Sequence, residues 1–209
     1  MAQDSTAVLC LASASPRRRA LLQQLGVAHR VAPAACDETP LALESAADCV
    51  QRLALAKARA VGADPARSAG LPVLGADTTV VVDGVMLGKP ADREDGCRML
   101  ARLSGRTHEV LSAVALLLPG TAAPAVRVAR TEVRFRALDR AEIAAYWDSG
   151  EPLDKAGGYA IQGFAAAFVE SICGSYSGVV GLPLYETAQL LNAAGVPTWR
   201  TGGAREGGA

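Results

Sequence analysis

Val73-Leu74-Gly75-Ala76-Asp77-Thr78-Thr79-Val80-Val81-Val82-Asp83-Gly84-Val85-Met86-Leu87 is the stretch on which the fold turns. Val73 to Ala76 has the unbroken apolar character of a buried strand, and Thr79 to Val82 is β-branched throughout. Asp83-Gly84, set between that run and Val85 to Leu87, is a strong hairpin signal, because both residues tolerate positive φ. Upstream, Val8 to Leu11 reads as a short strand running into a turn of small residues, Ala12 to Ser15. Pro16 then stands at a first helical position, and Arg17 to Leu25 has helical spacing stopped by Gly26. His29 to Ala32 is a second strand, Ser45 caps a long helix to about Val61, and residues 63–72 read as an exposed linker. Downstream come a helix from Asp92 to Leu103 and two long strands, Thr107 to Leu118 and Val126 to Phe135. Ala141 to Asp148 is helical, Gly157 to Phe168 reads as part strand, and Pro183 opens a last helix to Ala194. Helices alternating with strands around central hairpin strands predict an α/β protein with a mixed twisted β-sheet flanked by helices. Residues 1–200 are expected to form one domain and 201–209 a disordered tail.

Composition narrows the function. The chain has 209 residues with 21 basic and 21 acidic side chains, a balance unlike that of a polybasic duplex binder, so no nucleic-acid partner is expected. No apolar run approaches the roughly 20 residues of a membrane span; the longest, Leu111 to Pro119, is interrupted by Ser112. The N-terminal residues lack the basic and apolar regions of a signal peptide. Five scattered cysteines without a CxxC pair fit free thiols in a reducing cytoplasm. Alanine supplies 42 residues and aromatics only 4%, so the core is expected to rest on close approach of small side chains. Of the basic residues 18 are arginine and three are lysine: Lys57, Lys89 and Lys155.

Four segments carry candidate chemistry. Ser13-Ala14-Ser15-Pro16-Arg17-Arg18 places free backbone N–H groups, two hydroxyls and two guanidinium groups at a helix N-terminus, which suits an anion; the plainer reading is a Ser cap with solvated arginines. Asp77, directly after an apolar strand, is expected at the carboxyl edge of the sheet, where it would hold a divalent ion or orient a water; the alternative is a turn bonding its own backbone. Lys89 in Gly88-Lys89-Pro90 is a fixed point charge outside any Walker A spacing. Asp154 to Gly163 combines glycines that permit close approach to a flat ligand with Gln162, an amide donor and acceptor together; a strand bent by bulges is the other reading. His29 and His108 lack metal-spaced partners and read as structural, and the arginines of residues 127–140 as a solvated strand face.

Taken in order, SASPRR (13–18), CDET (36–39), Lys57 on the long helix, GADT (75–78), GKP (88–90), DKAGGYAIQG (154–163) and GSYSGVVGLPLYET (174–187) resemble the Maf family over roughly residues 7 to 200. The resemblance implies a bilobed ITPase-like α/β fold with a central cleft. It also implies hydrolysis of a nucleoside triphosphate between its α and β phosphates, a divalent cation (Mg²⁺ or Mn²⁺) and a homodimer. Carried over by position, Asp77 matches the proton acceptor, while Arg17, Thr78 and Gln162 match positions linked to substrate choice. The branch acting on 7-methyl-GTP looks like SPWR, SDQ and SEG at those segments. SPRR, ADT and IQG here are similar to the dTTP/UTP branch. Hydrogen-bond logic agrees: uracil and thymine offer an acceptor O4 beside a donor N3–H, which one amide matches, whereas guanine offers two donors that suit a carboxylate.

The expected chemistry is water attack assisted by a metal that Asp77 shares with Glu38. Arg17, Arg18, the hydroxyls of Ser13 and Ser15, Lys57, Lys89 and Lys155 are expected to neutralise the phosphates. In a chain that uses arginine almost everywhere, each lysine is read as a compact charge placed where a planar fork does not fit. Two other readings stand beside this one: the same chemistry on CTP, 7-methyl-GTP or a modified nucleotide, and a non-catalytic nucleotide-binding regulator of cell division.

Overall fold

The computed structural model describes residues 7–121 and 123–199; the tail expected at 201–209 lies outside the described residues. Along the chain the strands are β1 (Leu9–Leu11), β2 (His29–Val31), β3 (Val73–Val82), β4 (Val85–Leu87), β5 (Thr107–Leu117), β6 (Ala125–Phe135) and β7 (Val169–Cys173). The helices are α1 (Pro16–Gln24), α2 (Ala46–Gly62), α3 (Pro65–Ser68), α4 (Arg93–Leu103), α5 (Arg140–Asp148), α6 (Tyr176–Val180) and α7 (Leu184–Ala193). The seven strands form one mixed sheet in the order β2-β1-β3-β5-β6-β7, with β4 paired to β3. β1 runs parallel to β2 and β3, and the remaining pairs are antiparallel.

The β3–β4 hairpin forms as its sequence dictates, with Asp83 and Gly84 at φ of 52° and 72°. The rest of β3 departs from expectation. Val73 to Val82 is one continuous strand through Asp77 and Thr78, not two short runs with a turn between them. Nine consecutive pairings to β5, including Asp77 with Ala113 and Thr78 with Ser112, hold those two residues extended. Ladder pairing across the sheet overrides the local preference of aspartate for turns.

Alternation along β3 sends its side chains to two faces. Val73 and Val81 pack with Val50, Ala54, Ala58 and Val61 of α2. On the other face, Leu74 and Ala76 join a cluster with Leu21, Leu22, Leu190 and Leu191, while Val80 and Val82 join one with Leu100, Leu103, Ile143 and Tyr146. Alanine's role is visible at α2: small residues along its inner face let the helix lie directly on β3. Gly75 completes that fit, since a Cβ there would meet the backbone of α2 at Ala54 and Ala58.

Two further expectations are corrected. The 63–72 linker contains the short helix α3, capped by Asp64 and burying Ser68. Residues 157–168 hold no strand. They form 3₁₀ turns at Ala156–Gly158 and Phe164–Phe168, with Gly157 and Gly158 at φ of 71° and 68°, a backbone that cannot join a ladder. The histidines are structural: buried His108 bonds the Tyr159 hydroxyl at 2.9 Å, and His29 contacts the Val27 carbonyl. Arg130 and Arg134 lie on the exposed face of β6, as expected, whereas Arg127 is exposed on the opposite face, in phase with the buried Ala129, Thr131 and Val133, so the arginines do not form one strand face.

Candidate active site

A gap in the sheet creates the site. β5 covers one edge of β3 along nearly its whole length, so β1 and β4 share the other. β1 stops pairing at Leu74 and β4 starts at Val80. Between them the edge of Gly75 to Thr79 is left open, and a cleft of about 590 Å³ forms there. Asp77 is therefore mid-strand in β3, yet three residues beyond the last partner of β1. The carboxyl-edge argument holds for the parallel neighbour, not for β3 itself. All eleven residues singled out from the sequence line this cleft: Ser13, Ser15, Arg17, Arg18, Glu38, Lys57, Asp77, Thr78, Lys89, Lys155 and Gln162.

Lys57 organises the floor. Its ammonium donates to Asp77 Oδ1 at 2.7 Å and to Glu38 Oε1 at 2.6 Å. Lys57 is 6% exposed and Asp77 7%. Burial pushes the Asp77 carboxyl above the ordinary aspartate value; Lys57 and Arg18 pull the other way without restoring it, and the Glu38 charge adds to the rise. For Glu38 burial also acts upward, but the hydrogen bond and charge of Lys57, then Lys89, outweigh it and hold the carboxyl below its ordinary value. Two carboxylates on one lysine are thus driven apart in acidity, Asp77 upward and Glu38 downward, the kind of split that lets one of a pair exchange a proton while the other keeps its charge.

The walls come from both sides of the gap. Ser15 caps α1, accepting from the Arg18 amide at 3.4 Å, so the plainer reading of that hydroxyl holds while the turn also faces the cleft. Arg18 is anchored by donating to the Gly181 carbonyl at 2.8 Å and the Ser13 hydroxyl at 3.3 Å. Arg17 reaches Asp154 at 3.9 Å, and Lys155 donates to the Asp154 carboxylate and the Leu153 carbonyl at 3.0 and 3.1 Å. Lys89 stands 3.5 Å from Glu38. Thr78 bonds the buried Ser112 hydroxyl at 2.8 Å, and Ser112 donates to the Gly178 carbonyl at 2.6 Å. Gln162 lies exposed at the lip.

Sequence reasoning did not assign a role to Ser112 or to the Gly178–Gly181 carbonyls that close this wall. The signal for Ser112 was its interruption of an otherwise apolar strand. Among the described residues no three His, Cys, Asp or Glu side chains converge as a metal-ion set. Asp77 and Glu38 are nonetheless hard oxygen donors meeting on one cation, Lys57, and magnesium is commonly held by one or two carboxylates plus substrate phosphates. The donor set fits such an ion.

A mixed sheet opened at one edge, with five cationic side chains around a buried carboxylate, defines an α/β protein shaped to hold a polyanion. The family model described as Maf-like protein matches residues 8–194, and the chain belongs to the Maf family. It is 56% identical over 194 residues to the dTTP/UTP pyrophosphatase of Bordetella parapertussis, covering 90% of this chain and 93% of that protein. Relatives carrying the same name from Hahella chejuensis and Saccharophagus degradans are 52% and 50% identical, covering 91% and 94% of this chain and 94% and 93% of their own. No helix among the described residues is long and apolar enough to cross a membrane.

Proposed function

We propose that this chain is a nucleoside triphosphate pyrophosphatase that hydrolyses dTTP and UTP to the monophosphate and pyrophosphate. The observation that carries the reading is Asp77: a buried carboxylate with a raised pKa, on the floor of a cleft with five cationic side chains in its lining. The relatives' shared name supports the same chemistry. In the reaction Asp77 accepts the proton of the attacking water while the α–β anhydride bond breaks and pyrophosphate leaves. Arg17, Arg18, Lys89 and Lys155 neutralise the phosphates, and Lys57 keeps Asp77 and Glu38 in register. A divalent ion such as Mg²⁺ or Mn²⁺, held by Asp77 and Glu38, supplies further neutralisation of phosphate charge. Gln162 meets the O4 and N3–H edge of the pyrimidine, with Arg17 and Thr78 shaping the pocket around it. Residues 1–200 work as one unit, as a homodimer in the cytoplasm.

The test is pyrophosphate release over a panel of nucleoside triphosphates, with Mg²⁺ and after its removal by chelation. Release is expected to favour dTTP and UTP and to collapse without the ion. Asp77→Asn should lower kcat by about 10²-fold or more, the scale for losing a positioned base. Full turnover in that variant rejects the assignment of Asp77. Nucleotide binding without pyrophosphate release would mark a regulator instead, and a different leading nucleotide would move the substrate.

A further inference from the structure

Gln162 sits on a segment with no helix or strand to hold it, between the two 3₁₀ turns of residues 156–168. What fixes it lies elsewhere. The Tyr146 hydroxyl, on α5, accepts the Ala160 amide at 3.0 Å and donates to Glu151 Oε1 at 2.8 Å. Glu151 in turn accepts the Phe164 amide on Oε2 at 2.9 Å and the Ala165 amide on Oε1 at 3.3 Å. The Gly163 amide donates back to the Ala160 carbonyl at 3.0 Å, closing a turn with Gln162 inside it. Any side chain at Gly163 would run into the Glu151 carboxylate, so the turn lies flat against it.

We infer that Tyr146 and Glu151 are positioning residues for base selection, clamping the backbone on both sides of Gln162 so that its amide meets one edge of the base. The inference rests on the reading that Gln162 contacts the base. Tyr146 is 5% exposed and neither residue lines the cleft, so the pair acts through Gln162. Its chemistry suits the task. One carboxylate accepts from three donors, a phenol and two amides, and so ties α5 to the backbone that follows Gln162. In Glu151→Gln the side chain keeps one acceptor oxygen and turns an NH₂ toward donors. In Tyr146→Phe the Ala160 amide loses its partner, while the ring keeps its edge-to-face contact with Phe168, 5.0 Å between centroids.

The experiment measures kcat and KM for dTTP and dGTP in Tyr146→Phe, Glu151→Gln, Gln162→Ala and the Tyr146→Phe/Gln162→Ala double variant. A loosened Gln162 weakens binding of the base in ground and transition states alike. KM for dTTP is therefore expected to rise about fivefold in each clamp variant with kcat within about twofold, the scale of one lost hydrogen bond. The preference for dTTP over dGTP in kcat/KM should fall by a similar factor, which a merely less stable protein would not show. In the Gln162→Ala background, Tyr146→Phe should change that preference no further. An unchanged preference in the clamp variants, or an additive loss in the double variant, overturns the clamp while leaving the base-reading role of Gln162 standing. If Gln162→Ala itself leaves the preference intact, that role fails and the clamp falls with it. Tyr146→Phe removes only a hydroxyl and carries the test if Glu151→Gln does not fold.

Discussion

Lys57 spends its ammonium on two acids, and that choice sets the chemistry of both. A buried aspartate beside a lysine would ordinarily titrate low, yet Asp77 is raised, because burial outweighs the pull of Lys57 and Arg18. Asp77 must be ionised to take a proton, so kcat/KM falls as pH drops through its pKa, which lies above the usual aspartate value of 3.8. Lys57→Met deletes the largest downward pull on Asp77 and the ammonium that bridges it to Glu38, leaving Arg18 and Lys89 as the nearby cations. The acid limb of the pH–kcat/KM profile is then expected to move up by about one pH unit or more, alongside a loss of kcat. A limb that stays in place would show that Lys57 does not govern Asp77. The lysine count anticipated this only in part. All three lysines line the cleft, but Lys57 is engaged by carboxylates and Lys155 by its neighbour Asp154, not standing free as bare charges.

Reach between elements depends on how closely α2 lies on β3. Gly75 is where that approach is tightest, and a methyl there meets helix backbone, which cannot swing aside as a side-chain tip can. Gly75→Ala is expected to lift α2, cost about 1–3 kcal/mol of stability, and draw Lys57 away from Asp77 with a larger proportional loss of activity. Gly62→Ala on the same helix meets only the flexible end of Leu117 and should cost far less. Urea unfolding and pyrophosphate release on both variants check this, and equal stability in the two would refute the packing argument. Elements with strong local signals were legible in sequence: the Asp83-Gly84 hairpin, the Ser15 and Ser45 caps, and α1 opened by Pro16. What was not legible depends on partners far along the chain. Asp77 is extended because β5 pairs with it, and residues 156–168 are turns because two glycines adopt positive φ. The site residues were legible one at a time; their convergence on the gap between β1 and β4 was not, since no local pattern records where a neighbouring strand stops.

Across the molecule, the half of the sheet nearest β7 is closed by an aromatic cluster around His108. Its ring stands edge-on to Phe135 and Tyr159, with centroids 4.9 and 5.4 Å away, and Nε2 bonds the Tyr159 hydroxyl, while Nδ1 is buried without a hydrogen-bond partner among the described residues. Tyr159 also lines the cleft, so this cluster ties the sheet to the loop that carries Gln162. Burial depresses the His108 pKa from 6.5 to about 4. Below pH 6.5 the unfolded chain binds a proton that the folded one refuses until about pH 4, so the stability this group contributes is present above that window and lost as pH falls through it. The full displacement corresponds to about 3 kcal/mol, of which about 2 kcal/mol is lost by pH 5. Carboxylates held low, such as Glu44 at about 2, release their share of stability at lower pH, and the raised Asp77 carboxyl takes up its proton in the folded state first, which opposes an acid loss rather than causing one. His108→Gln keeps a neutral hydrogen-bonding side chain of similar size and removes the titration. Unfolding free energy from urea titrations at pH 7 and pH 5 is expected to drop by about 2 kcal/mol in the unmodified protein and much less in His108→Gln. Parallel drops in the two proteins would place the acid sensitivity elsewhere.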